Sequence, residues 1–126
     1  MERPEIERLL ENLYAARLAG DLERLCALFC EDADFKISGS SEGKPVCISA
    51  RGREALRAWL LVLVKTFKVT ERHTIRAVIG ADGAAVEWQA AIVSKVTGLA
   101  VTTKFIDMIG MRDGRIASYS EVFVPC

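Results

Sequence analysis

VEWQAAIVSKVTGLAVTTKFIDMIGMRDGRIASYSEVFV, residues 86–124, is the stretch whose reading decides the fold of this chain. It divides into three β-rich runs, Val86–Val96, Leu99–Met111 and Arg115–Val124, separated by Thr97-Gly98 and Asp113-Gly114. Both dipeptides are hairpin signals, because Gly accepts the positive φ angles that short turns require. A two-residue loop at Thr97-Gly98 pairs Val96 with Leu99 and sets Trp88 opposite Asp107. The second turn has two readings. A two-residue Asp113-Gly114 loop puts Asp107 on one face with Ser118, Ser120 and Val122. A three-residue loop, Arg112-Asp113-Gly114, sets Phe105, Asp107 and Ile109 beside Ala117, Tyr119, Glu121 and Phe123. A slip of one residue turns every side chain over. The three-residue loop is preferred because it gathers the large apolar side chains on one face. Asp107 then faces Tyr119, with Glu121 diagonal at roughly 7–8 Å.

That face holds Trp88, Ala90, Ile92, Val101, Phe105, Ile109, Tyr119 and Phe123, with two carboxylates among them. A carboxyl group in apolar surroundings resists ionisation, and a second one nearby adds to the resistance. Asp107 and Glu121, with Tyr119, are therefore candidates for acid/base chemistry at neutral pH. The alternative is that the acids are exposed, or tied to Lys or Arg.

Working outward, Ile6, Leu9, Leu10, Leu13 and Leu18 recur at helical spacing, Pro4 suits a first helical position, and Gly20 ends the helix. Tyr14 lies near its apolar side, as a core residue with its hydroxyl at the rim or as a ligand contact. Asp21 caps a second helix reaching about Phe29. Asp34–Ser38 reads as a short strand, residues 39–45 as a flexible loop, and Val46–Ser49 as extended. Gly52 opens a third helix to about Lys65, with Trp59 as core or pocket wall. In the next strand, Val69–Ile79, His73 shares a parity with Ile75, Ala77 and Ile79, which places it on the apolar face near a strand end. A His there is a rim residue or a ligand contact.

Helices gathered before a meander predict one α+β domain spanning residues 1–126: a cone-shaped, curved antiparallel sheet packed against three N-terminal helices. A curved sheet roofed by helices has an interior for a ligand. Tyr14, Trp59, His73, Trp88, Phe105 and Phe123 are its candidate lining.

Composition narrows the partners. The 126 residues are 51% hydrophobic, enough for a substantial core, and the 17 Lys+Arg balance the 17 Asp+Glu. Zero net charge gives no support to nucleic acid or an anionic membrane as partner. The longest apolar run, Ala58–Val64, is far short of a membrane span. The charged N-terminus lacks a signal peptide's apolar region, so a cytoplasmic location is expected. Cys26, Cys30, Cys47 and Cys126 read as reduced thiols, and a single His makes a zinc site improbable.

Three segments carry a family resemblance: AGDLERLCALFCEDADFKI (residues 19–37), GREALRAWL (52–60) and IDMIGMRDGRIASYSEVF (106–123). They resemble the nuclear transport factor 2-like superfamily, a cystatin-like fold, and within it SnoaL-like and ketosteroid-isomerase-like proteins. The resemblance implies a sheet-to-sheet homodimer and a pocket for a small apolar molecule, with no metal or organic cofactor. Asp107 matches the position where ketosteroid isomerases hold a protonated Asp toward an oxyanion. Glu121 matches the last-strand acid of SnoaL-like cyclases, and Trp59 falls beside a pocket-wall aromatic. The isomerases' general-base Asp falls near Ile37 or Ser38, and their helix-one Tyr falls on Leu13, one residue from Tyr14. An epoxide-hydrolase Arg-x-Asp falls on Glu87-Trp88-Gln89, which has no Arg. Two functions are expected: an isomerase, cyclase or lyase that uses Asp107 and Glu121 on a carbonyl compound, or a non-catalytic binder or accessory protein. Ala100, Thr102, Ile106 and Met108, of opposite parity to Asp107, suit a dimer interface on the outer sheet face.

Overall fold

The computed structural model describes residues 1–126. Its elements run α1 (Arg3–Ala19), α2 (Leu22–Ala27), β1 (Phe29–Ser41), β2 (Lys44–Arg51), α3 (Arg53–Thr66), β3 (Phe67–Ile79), β4 (Gly83–Ser94), β5 (Ala100–Arg112) and β6 (Arg115–Pro125). α1 buries Ile6, Leu9, Leu10, Leu13, Tyr14 and Ala16 along one stripe. It stops at Gly20, which takes the left-handed conformation (φ 66°). Asp21 then caps α2 by accepting a hydrogen bond from the Arg24 amide at 3.1 Å. α2 ends at Ala27 rather than Phe29. Phe29 pairs with Ile116 and is fully buried, so sheet contacts override local helix propensity there.

The strands form one six-stranded sheet in the order β2-β1-β6-β5-β4-β3. The all-antiparallel cone expected from the sequence needs correcting. The sheet is mixed, because β1 and β6 pair in parallel, and it is open, with β2 and β3 as edges, and not strongly curled. The topology requires this. Three reversals from β3 to β6 return the chain to β1 running the same way. β2 and β3 then also run the same way, and the helix α3 makes the crossover that such strands need. α1 packs on β3, and α3 packs on β1 and β2. β1 is far longer than the short strand expected, and the supposed loop over 39–45 is mostly its hairpin with β2, turning at Glu42-Gly43.

Both turns of the deciding stretch differ from expectation, yet the buried face does not. β4 ends at Ser94, whose hydroxyl oxygen accepts from the Val96 and Thr97 amides at 3.2 Å each. The loop is therefore longer than Thr97-Gly98, and Trp88 pairs with Phe105 while Val86 pairs with Asp107. The shift is two residues, so every side chain keeps its face. The second turn is the two-residue Asp113-Gly114 loop, with both residues at positive φ (52° and 77°), as a type I′ turn demands. A bulge between Gly110 and Met111 then restores the face that the three-residue loop was chosen to explain. Asp107 pairs directly with Glu121, and Tyr119 pairs with Ile109.

The core lies between this face and the helices. Trp88 stacks on Phe105 with ring centroids 3.9 Å apart, and Phe35 stacks on Tyr119 at 5.7 Å. Both are cross-strand partners, which fixes register through the side chains as well as the backbone. At Gly39, paired with Phe123, a Cβ would lie 2.5 Å from the Phe123 ring and 2.6 Å from its carbonyl oxygen. Rotating the ring leaves the carbonyl clash in place. Gly39→Ala is therefore expected to cost about 1–3 kcal/mol in urea-denaturation stability, as overpacking does elsewhere.

Candidate active site

Asp107 and Glu121 face each other across β5 and β6, and both are buried. Their partners divide them. Asp107 Oδ2 accepts from the Tyr14 hydroxyl and from Trp88 Nε1, both at 2.7 Å, while Oδ1 has no partner. Glu121 Oε1 accepts from Arg17 Nη1 at 2.7 Å and from the Tyr119 hydroxyl at 2.8 Å. Arg17 also donates to Tyr119 at 2.8 Å and lies over the Trp88 ring. Tyr14 and Arg17 stand three residues apart on α1, so one helical face supplies a donor to each acid.

This division sets opposite protonation states. Burial, then the adjacent Glu121 charge, pushes the Asp107 carboxyl well above the usual carboxylate range. Burial raises Glu121 most strongly, but the Arg17 charge, the facing Asp107 carboxyl and hydrogen bonds from Arg17 and Tyr119 together outweigh it and hold this group below the usual range. Burial opposes charge on Arg17 too, and Glu121 with Tyr119 and Asp107 together more than restores it. Burial and the neighbouring carboxyl groups raise the Tyr14 and Tyr119 hydroxyls, so both stay protonated and donate. The two acids are thus biased in opposite directions, Asp107 toward its protonated form and Glu121 toward a carboxylate paired to arginine.

A cleft of about 360 Å³ opens between α1 and β3–β4, with Tyr14, Val86, Leu10 and Arg72 in its wall. The Tyr14 ring stands in that wall while its hydroxyl holds Asp107. Neither carboxyl group lines the cleft.

The other expected site residues are dispersed. Trp88 and Phe105 are buried beside Asp107, and Phe123 is half-buried opposite Phe105. Trp59 is 39% exposed on α3 and lines neither this cleft nor a more polar one of about 520 Å³ around Cys26 and Arg53. His73 is exposed and pairs with Gln89, on the side away from Trp88. The single parity expected for β3 fails because Glu71 takes a positive φ (52°) and two bulges shift the register. Thr74 therefore pairs with Trp88, and Arg72 shares its inward face. Arg72 and Arg17 were not anticipated. Arg17 could have been found by its spacing from Tyr14, whereas Arg72 depends on bulges that leave no clear mark in sequence.

No group of three His, Cys, Asp or Glu residues is placed to hold a metal ion. No helix is long and apolar enough to cross a membrane.

A mixed sheet with helices packed on it, enclosing buried acids, defines a nuclear transport factor 2-like protein. Residues 10–119 match the SnoaL-like domain, and the chain belongs to that family. No curated protein sequence matches it. Among solved structures it is similar to a provisionally named isomerase from Rhodopseudomonas palustris (TM-score 0.81, 17% identity, covering 98% of this chain and 91% of that one). It is also similar to an NTF2-like protein from Burkholderia xenovorans LB400 (0.78, 22%, 98% and 92%). A third likeness is to an LEH-like epoxide hydrolase from M. tuberculosis (0.74, 18%, 95% and 83%). Identities this low establish the shared fold and leave the chemistry to the residues of this chain.

The raised Asp107 makes a prediction about stability. Its folded pKa lies above its unfolded one, so the native state keeps a proton that the unfolded chain releases. This group's contribution therefore weakens as pH rises above the ordinary carboxylate range near 3.8. Asparagine mimics the neutral acid. The stability of Asp107→Asn relative to the native protein should grow with pH by up to about 1.4 kcal/mol per unit, read by urea denaturation between pH 4 and pH 8.

Proposed function

We propose that this protein is an acid/base catalyst of the isomerase, cyclase or lyase type, acting without a cofactor on a small, mostly apolar carbonyl compound. The observation that carries this reading is the unequal partnering of the two facing acids, Glu121 bonded to Arg17 and Asp107 only to the neutral donors Tyr14 and Trp88, which pushes their pKa values apart. Groups with separated pKa values in one site supply a donor and an acceptor at the same pH. Asp107 gives its proton to the carbonyl oxygen while Glu121 takes one from the adjacent carbon, producing an enol. In an unsaturated substrate the enol is conjugated, and Glu121 returns its proton to a different carbon as the enol O–H gives its proton back to Asp107, which yields the isomer and restores both acids. Tyr14 and Trp88 hold the Asp107 carboxyl, and Tyr119 and Arg17 orient Glu121. The substrate enters through the cleft whose wall contains Tyr14. Rearrangement of Tyr14 is required for contact with Asp107.

Asp107→Asn and Glu121→Gln are each expected to lower kcat by at least about 100-fold, the usual worth of general acid–base catalysis, with the fold preserved by circular dichroism. The pH–rate profile should fall on the acid side as Glu121 gains a proton and on the alkaline side as Asp107 loses one, the two limbs belonging to the coupled pair. Unchanged turnover in both variants removes the assignment.

A second reading is a non-catalytic binder. The Arg17 ion pair favours it by making Glu121 a weak base, as does the absence of both carboxyl groups from the cleft wall. Asp107→Asn would then leave ligand affinity unchanged, with no turnover to lose.

The proposed quaternary state is a homodimer through the outer sheet face, where Ile106 and Val122 pair across strands and Met108 and Val124 extend an exposed apolar band. Light scattering at micromolar concentration should return twice the 13.9 kDa chain mass, and Ile106→Lys should halve it.

A further inference from the structure

Arg72 is the charged group of this region that neither acid uses. Its guanidinium lies 3.7 Å from the Tyr14 ring centroid and 4.9 Å from that of Trp88. Stacking of this kind uses the flat faces of the group and leaves its in-plane N–H bonds free. Nε and Nη2 are both buried, and no acceptor of the protein reaches either. Buried charged donors without acceptors are costly, so such an edge calls for an explanation. The neighbouring acids do not provide one. Asp107 holds Tyr14 and Trp88 on Oδ2 and leaves Oδ1 unpartnered, Glu121 holds Arg17 and Tyr119, and neither acid bonds Arg72.

The geometry points to a ligand that brings the missing acceptor: a small monocarboxylate with an apolar body, bound in the α1–β3 cleft beside Arg72, whose buried Nε–Nη2 edge turns toward the carboxylate as the ligand enters. Two parallel N–H···O bonds match a carboxylate to that edge. Leu10, Leu18, Ala77 and Val86 make the rest of the wall largely apolar, which suits a hydrocarbon body. Glu11, the other charged residue of the cleft, is exposed on α1 and disfavours a ligand of higher negative charge. This inference adds a substrate class to the proposed function and rests on it only for turnover, because binding is measured separately.

The test is a ¹⁵N NMR titration of the full chain and of Arg72→Gln with hexanoate, its neutral analogue hexanamide, and hexyl phosphate. Hexanoate should bind at least about ten-fold more tightly than hexanamide, as loss of a charge-assisted fork implies, and should shift the Arg72 Nε–Hε signal. Arg72→Gln should reduce hexanoate to the affinity of hexanamide and leave hexanamide unchanged. Its Tm without ligand should equal or exceed that of the native protein, because the unpartnered donors are removed. Equal binding of the two native ligands, binding of neither, or an unchanged hexanoate affinity in Arg72→Gln overturns the proposal. Tighter binding of hexyl phosphate overturns the carboxylate assignment. A lower Tm with unaltered ligand preference makes Arg72 a stacking element only. Turnover lost in Asp107→Asn without Arg72-dependent binding removes this inference and spares the catalytic one. The reverse result spares this inference and removes the catalytic one.

Discussion

Two carboxyl groups cannot both ionise side by side in a dry interior, and the centre of this protein is built around that constraint. Asp107 and Glu121 are cross-strand partners with almost no solvent contact. One arginine is bonded to the pair, and it goes to Glu121. Asp107 is therefore biased toward its protonated form and is steadied by two neutral donors. A second cation at Asp107 would favour ionising both acids, and the difference in their chemistry would be lost.

α1 sets this asymmetry. Tyr14 and Arg17 lie one turn apart, so the docking of a single helix on the sheet delivers a hydroxyl to one acid and a guanidinium to the other. Its apolar stripe, from Ile6 to Ala16, holds the helix at the depth these bonds require. The cleft beside α1 has the largely buried Tyr14 ring in its wall, and the Tyr14 hydroxyl links that wall to Asp107. Trp88 closes the arrangement. It donates to Asp107, stacks on Phe105 and lies under Arg17.

Much of this was legible in sequence, by a route that was partly mistaken. A three-residue loop puts Phe105, Asp107, Ile109, Tyr119 and Glu121 on one face. That face is correct, but the loop has two residues and a bulge at Gly110–Met111 supplies the missing parity. Hydrophobic patterning reports which side of a strand is buried, and several combinations of turn and bulge satisfy it equally. The same limit explains β3. There two bulges reverse the face partway along, leaving His73 outside and Arg72 inside.

The order of helices and strands, the α+β class and the common face of both acids follow from the sequence, because apolar periodicity and turn chemistry are local properties that any compact state of this chain must respect. The parallel pairing of β1 with β6, the Arg17 bond that separates the two acids, and the stranded edge of Arg72 were decided only in the folded molecule. Each joins residues far apart in the chain, through a helix docking or a bulge. Long-range contacts of that kind depend on how whole elements pack, and no short window of sequence records them.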